Sequence, residues 1–265
     1  MKVLFWNTCQ NPNINRVLSE LIAENNISLV VLAEYAGEIH ELLKSVGEIG
    51  INMQKYPTIG CDRIKIVGTE LNISPGRQTD YASFQIINDK DIFCCIHLPS
   101  QIFGSSEGMR EIAIQHIVTD IESTEKEIGT ENSIILGDFN ANPYDDECLK
   151  ANQFHAIPYY KETLKGTRTI AGEEFKMFYN PMWKFLGNSK EPFGTYYYSG
   201  NDLKNAFWNI YDQVVIRPSL KARFIDSNLQ ILTKSQSYCL LNKQGYPEKK
   251  KISDHLPIIF EILED

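Results

Sequence analysis

Acids, amides and imidazoles stand in this sequence at the ends of short apolar runs. Asn7 follows Val3-Leu4-Phe5-Trp6, Glu34 follows Val30-Val31-Leu32-Ala33, and His97 follows Phe93-Cys94-Cys95-Ile96. Gly137-Asp138-Phe139-Asn140 closes another run, Tyr211-Asp212 lies in one, and Ser253-Asp254-His255-Leu256-Pro257 introduces the last. A rigid element that stops at a loop aims such side chains and leaves them open to a substrate. The set suits hydrolysis of a phosphate ester with a divalent metal. Phosphodiesters resist water because their anionic oxygens repel a nucleophile and the departing alkoxide is a poor one. A hard cation answers both problems, and hard cations take oxygen ligands.

Taken singly, these residues differ in weight. Glu34 alone reads more readily as a solvated or paired acid than as a metal carboxylate. Asn7 alone reads as a turn residue; its functional role would be to orient a phosphate or a carboxylate. His97 alone is a strand-end histidine, and within a site it would donate to a non-bridging phosphate oxygen. The 137–140 motif is sharper. Glycine permits close backbone approach, and alternation puts Asp138 and Asn140 on one face with Phe139 on the other. Asp138 can take a proton from water while the Asn140 amide holds the phosphate. His255, beside Asp254, needs a carboxylate to fix its tautomer. Asp212 is the candidate.

Such residues need elements to hold them. The first strand covers 2–6, and a helix capped by Asn13 runs to about 25 with Val17, Leu18, Leu21 and Ile22 at helical spacing. A strand over 27–33 delivers Glu34, and a second helix spans 38–46. Strands are expected over 63–67, 81–87 and 91–96, the last two joined by a turn at Asn88-Asp89-Lys90. A long helix over 107–126 carries Ile112, Ile117 and Ile121 ahead of a strand at 133–136. A helix at 145–151 and strands at 195–198, 210–216 and 256–263 complete the pattern. This alternation implies an α+β chain of two packed sheets with helices outside. Length allows one large domain or two packed halves.

Composition narrows the function classes. A net charge of −8 argues against coating nucleic acid by bulk electrostatics, though not against gripping a few phosphates locally. The six cysteines show no CxxC pair and no scaffold spacing, which fits a reducing, cytoplasmic setting. The apolar run at the N-terminus is too short for a signal peptide, and no run suits a membrane span. Residues 158–194 form an irregular excursion with six basic and four acidic residues, interleaved with eight aromatics. Arg168 and Trp183 there could form a platform for unstacked bases, or the aromatics could pack inward. Lys249, Lys250 and Lys251 could rim a cleft and meet phosphates, or form a solvated strand entry.

Together, Trp6-Asn7, Glu34, His97-Leu98, Gly137-Asp138-Phe139-Asn140, Thr195-Tyr196, Tyr211-Asp212 and Ser253-Asp254-His255-Leu256-Pro257 resemble the endonuclease/exonuclease/phosphatase superfamily. The order agrees from Asn7 to His255, nearly the whole chain. The resemblance implies a four-layer αββα sandwich forming a single domain over 1–265, with two pseudo-equivalent halves meeting near 130. It makes Glu34 the principal Mg²⁺ ligand, with Asp254 and Asn7 near the metal and Mn²⁺ able to substitute. Asp138 would activate water, Asn140 would position the phosphate, His97 and His255 would contact phosphate oxygens, and Asp212 would orient His255. Abasic-site endonucleases carry tyrosine where His97 stands, which weakens that assignment. The expected activity is phosphodiester hydrolysis in DNA or RNA by a monomer without stable membrane association. The alternatives are a phosphatase for a small phosphorylated molecule, a phospholipid phosphodiesterase, and a non-catalytic binding module.

Overall fold

Val3 and Phe5 of the strand Lys2–Asn7 face one way, Leu4 and Trp6 the other, and all four are buried. A strand buried on both faces needs a layer on each side. The computed structural model supplies them, and it describes residues 1–100, 107–187, 190–200, 205 and 207–264. Residues 188 and 189 of the 158–194 excursion lie outside the described residues.

One sheet sets its strands in the order Gln230–Ile231, Ile258–Glu261, Lys2–Asn7, Leu29–Ala33, Ile64–Gly68 and Gln54–Tyr56. The other runs Ile73–Gln78, Ala82–Ile87, Asp91–His97, Ser133–Asp138, Asp212–Ile216, Phe178–Tyr179 and Ala156–Ile157. Val3, Phe5, Val31, Phe93, Cys95, Leu136 and Val214 meet between the sheets. Outside the first sheet, Leu4, Trp6, Val30 and Leu32 pack on the helices Asn15–Asn25 and Ile39–Glu48 through Leu18, Leu21, Ile22, Leu42 and Val46. Outside the second, Cys94, Ile96 and Ile135 pack on Ile114, Ile117 and Ile121 of the helix Glu107–Ile128. The layers are helix, sheet, sheet, helix, as the sequence implied. No helix among the described residues is long and apolar enough to cross a membrane.

Several local expectations need correction. Asn13 does not cap the first helix. Ile14 occupies the N-cap without a side-chain bond, and the Asn13 amide instead donates to Asn11 Oδ1. Ile112 is 53% exposed, because Ile114, Ile117 and Ile121 define the buried stripe of the long helix. The helix expected at 145–151 contracts to Asp146–Leu149. The turn at 88–90 does form, with Asn88 and Asp89 both at positive φ, as a two-residue hairpin turn of the I′ type requires.

Candidate active site

Register brings three of the residues into one row. His97 pairs with Asp138 in a parallel ladder, and Asp138 pairs with Asp212 in an antiparallel one. All three therefore stand on adjacent strands at one end of the second sheet, where neighbouring strands lie about 4.8 Å apart. Gly137 makes the row possible: a Cβ there would lie 1.9 Å from the Ile96 carbonyl oxygen. At the same end of the first sheet, Asn7 pairs with Ala33, so Glu34 emerges beside it. Glu34 has φ 47°, and its carbonyl accepts from Thr8 Oγ1 at 2.9 Å and from the Gln10 amide at 2.8 Å. A left-handed non-glycine residue carries strain that surrounding bonds must hold.

Asn7 joins the sheets. Its Nδ2 donates to Asp138 Oδ2 at 2.9 Å and to Glu34 Oε1 at 3.2 Å, while its Oδ1 accepts from the Cys9 amide at 3.0 Å. His97 Nε2 lies 3.4 Å from Glu34 Oε1 and 3.8 Å from Asp138 Oδ2. Asn140, at φ 48°, donates its amide to Asp138 Oδ1 at 2.8 Å and its Nδ2 to the Leu98 carbonyl at 2.9 Å.

The final loop docks onto this frame. Ser253 Oγ donates to the Asn7 carbonyl at 2.8 Å and accepts from the His255 amide at 3.1 Å. Trp6 Nε1 donates to the His255 carbonyl at 2.8 Å. These bonds put His255 Nδ1 at 2.8 Å from Asp212 Oδ2 and its Nε2 at 4.0 Å from Asp138 Oδ2. The Tyr196 ring covers the imidazole, centroids 4.8 Å apart. Thr195 stitches the same corner, its Oγ1 accepting from the Asp212 amide at 3.1 Å.

Electrostatics divide the site. Burial works against a charged imidazole at His255, but the Asp212 carboxylate outweighs it, with Asp138 and Asp254 adding, and the ring is pushed up to about 10. Asp138 is raised by burial and by Asp212, against the opposing pull of His255 and His97. Asp254 is held low: burial is outweighed by His255, Cys9 and Lys249, whose Nζ sits 2.9 Å from Oδ2. Cys9, which sequence reasoning passed over, is pushed up to about 11 by burial and by bonding to Asp254.

Two places could be asked to hold a cation. Asp138, Asp212 and His255 each bring a ligand atom within 4.8 Å of the others. There, however, Nδ1 of the imidazole is already bonded to Asp212, and a protonated ring is no metal ligand. Glu34 keeps a side chain 31% exposed beside the buried amide of Asn7. Asp138, bonded to the same Asn7 Nδ2, and Asp254, bonded to Cys9, add carboxylate oxygen beside it, and the donor set fits a hard divalent ion.

The structure thus gathers Asn7, Glu34, His97, Asp138, Asn140, Asp212, Asp254 and His255 at one end of the sandwich. Lys249 reaches it through Asp254, and Lys250 and Lys251 are exposed on the approach. Arg168 goes elsewhere. It lies on the hairpin Thr167–Ile170 and Glu173–Lys176, whose Lys176 bonds Glu125 and Glu131. The hairpin therefore sits by Glu125, which bonds Ser133 at the end of the second sheet opposite Asp138. Tyr179, just before the turn that holds Trp183, pairs with Ile216, the strand end opposite Asp212. Trp183 is half-buried, and the turn before it runs back along the strand, Asn180 Nδ2 donating to Gln213 Oε1 at 2.9 Å. Phe178 and Met182 in the same stretch pack inward.

No protein-family model and no curated protein matches the sequence. Solved structures do match in fold. An AP endonuclease from Archaeoglobus fulgidus is 13% identical with a TM-score of 0.58, over 99% of each chain. A 3′–5′ exonuclease from Neisseria meningitidis is 16% identical with a TM-score of 0.53, over 99% of each chain. An endonuclease/exonuclease/phosphatase family protein from Bacteroides thetaiotaomicron is 14% identical with a TM-score of 0.55, over 100% of this chain and 98% of that one. At these identities the likeness is one of fold, and it runs end to end.

Proposed function

We propose that this chain, which has the fold of the endonuclease/exonuclease/phosphatase superfamily, hydrolyses phosphodiester bonds with a Mg²⁺ ion, its substrate a nucleic acid. The observation that carries the reading is the position of the Asp138 carboxylate. It stands between the Asp212–His255 pair on one side and the Asn7, Glu34 and His97 cluster on the other. A carboxylate raised by burial is a better base than a solvated one, so Asp138 takes the proton from the attacking water. Asn7 fixes its Oδ2 and the Asn140 amide fixes its Oδ1, which leaves the carboxylate one orientation.

His255, held by Asp212, presents Nε2 as a proton donor toward a phosphate oxygen. Asp138 and His255 act as one titrating unit. His97 Nε2 supplies a second donor across the cleft. Glu34 and Asp254 would hold Mg²⁺, with Mn²⁺ able to substitute; when bound, the ion would offset the phosphate charge and stabilise the departing oxygen. Lys249, already placed on Asp254, adds positive charge at the rim.

Nucleic acid is favoured because structures of this fold include an AP endonuclease and a 3′–5′ exonuclease. The test is hydrolysis of end-labelled single-stranded and duplex DNA and RNA, with Mg²⁺ and with EDTA, beside His255→Ala. Mg²⁺-dependent cleavage absent from the variant is expected. Cleavage that survives both EDTA and the substitution would overturn the reading, and none on any nucleic acid would leave phosphorylated small molecules and phospholipids to be assayed.

A further inference from the structure

A charged side chain outside the expected constellation reaches its centre. Arg110, on the helix Glu107–Ile128, is 2% exposed. Its Nη2 donates to the Phe139 carbonyl at 3.1 Å and to the Asn140 carbonyl at 2.7 Å. Glu147 Oε1 lies 3.5 Å from the same nitrogen. Arg110 Nε and Nη1 are buried and find no acceptor among the described residues. Burying a guanidinium is costly, and a side chain kept only for stability would be expected to use its donors fully. Here both main-chain hydrogen bonds fall on one feature, the turn that follows Asp138.

That turn is under constraint. Asn140 is left-handed at φ 48°, and the Asp138 carboxylate is aimed partly by the Asn140 amide. The Phe139 amide donates to the Tyr211 carbonyl at 2.8 Å. The turn is therefore tied to its two flanking strand ends through Leu98 and Tyr211. Arg110 supplies a third tie, from the helix layer outside the sheet.

We propose that Arg110 is a positioning residue: its buried guanidinium clamps the Phe139 and Asn140 carbonyls and so sets where the Asp138 carboxylate and the Asn140 amide point. The catalytic consequence rests on the hydrolase reading above; the clamp itself does not. A carboxylate displaced by a fraction of an ångström loses much of its advantage as a base. Lysine is a poor substitute, because the two Nη2 hydrogens that meet these carbonyls are held in the rigid guanidinium plane, whereas an ammonium on a flexible stem fixes neither direction.

The test uses Arg110→Lys and Arg110→Met in the full chain, read by hydrogen exchange and by steady-state kinetics. Amide exchange in peptides over 137–142 should quicken by about tenfold or more in both variants, while the strand Leu29–Ala33 keeps its wild-type protection. On a cleaved substrate, kcat should fall by roughly tenfold to a hundredfold with KM within about threefold. If Arg110→Met fails to fold, Arg110→Lys carries the test, since it keeps the charge. Wild-type exchange over 137–142, faster exchange spread evenly over the chain, or an unchanged kcat with a loosened turn would each overturn the proposal. A loosened turn in a protein whose wild type hydrolyses no phosphate ester would sink the hydrolase reading and leave the clamp standing.

Discussion

At the scale of the residue, the site depends on which nitrogen of His255 meets which carboxylate. The Asp212–Nδ1 contact at 2.8 Å fixes the ring so that Nε2 faces Asp138. Asp212→Asn keeps the shape but replaces the acceptor with a neutral amide, which no longer holds the charged ring or enforces one tautomer. Turnover should fall by about a hundredfold or more, with KM little changed and the melting temperature near that of wild type. A rate within a few-fold of wild type would show that Asp212 does not set the orientation of His255. This pairing was legible in the sequence because Asp212 lies in an apolar strand where an acid has little reason to be. Arg110 was not legible. An arginine between methionine and glutamate near a helix start looks like a solvated charge, and only the packing of that helix on Phe139 and Asn140 shows otherwise.

At the scale of the element, strand ends were readable and strand neighbours were not. Apolar runs that stop at an Asn, Glu, His or Asp mark where a buried strand meets a loop, and those marks located Asn7, Glu34, His97 and Asp138. Gly137 is the element-level condition for their meeting. Since its Cβ would strike the Ile96 carbonyl oxygen, Gly137→Ala must push apart the strands that carry His97 and Asp138. The cost should be on the order of 3 kcal/mol or more, seen as a lower denaturation midpoint, with turnover reduced in whatever fraction folds. What the sequence hid was sheet order. Tyr179 pairs with Ile216, four residues along the strand from Asp212, or about 13 Å at 3.3 Å per residue. The Arg168 hairpin, tied through Lys176 to Glu125 beside Ser133, is thereby carried away from the chemistry. Arg168→Ala should leave kcat/KM for a short oligonucleotide within about twofold of wild type. A loss of tenfold or more would mean that substrate reaches the far end of the sandwich.

At the scale of the whole molecule, the sandwich closes by returning its last strand to its first. Lys2 pairs with Glu261, and the loop ahead of that last strand brings Asp254 and His255 back to Asn7. Two sheets built largely from different parts of the chain thus present Glu34, Asp138, Asp212 and Asp254 to one cleft, with His255 and Lys249 as the facing cations and His97 beside Glu34. The layering was legible from strands apolar on both faces; the cross-sheet bonds of Asn7 were not, since nothing local tells an asparagine which carboxylates it will meet. On the proposed reading, so much acid in one place should make the folded state respond to a divalent ion. An ion that binds the native cleft and not the unfolded chain, at a hundred times its dissociation constant, adds about 2.7 kcal/mol. For a chain of this size that is roughly 5–10 °C in melting temperature. Mg²⁺ should produce this rise, and NaCl at matched ionic strength should not, because screening acts on all surface charges alike while coordination acts on Glu34. Glu34→Gln preserves the side-chain shape and removes the charge, so the rise should be lost while the metal-free melting temperature stays level or increases as carboxylate repulsion is relieved. A full Mg²⁺ response in Glu34→Gln would move the cation to another group of acids, and the Asp138, Asp212 and His255 cluster would then be the place to look.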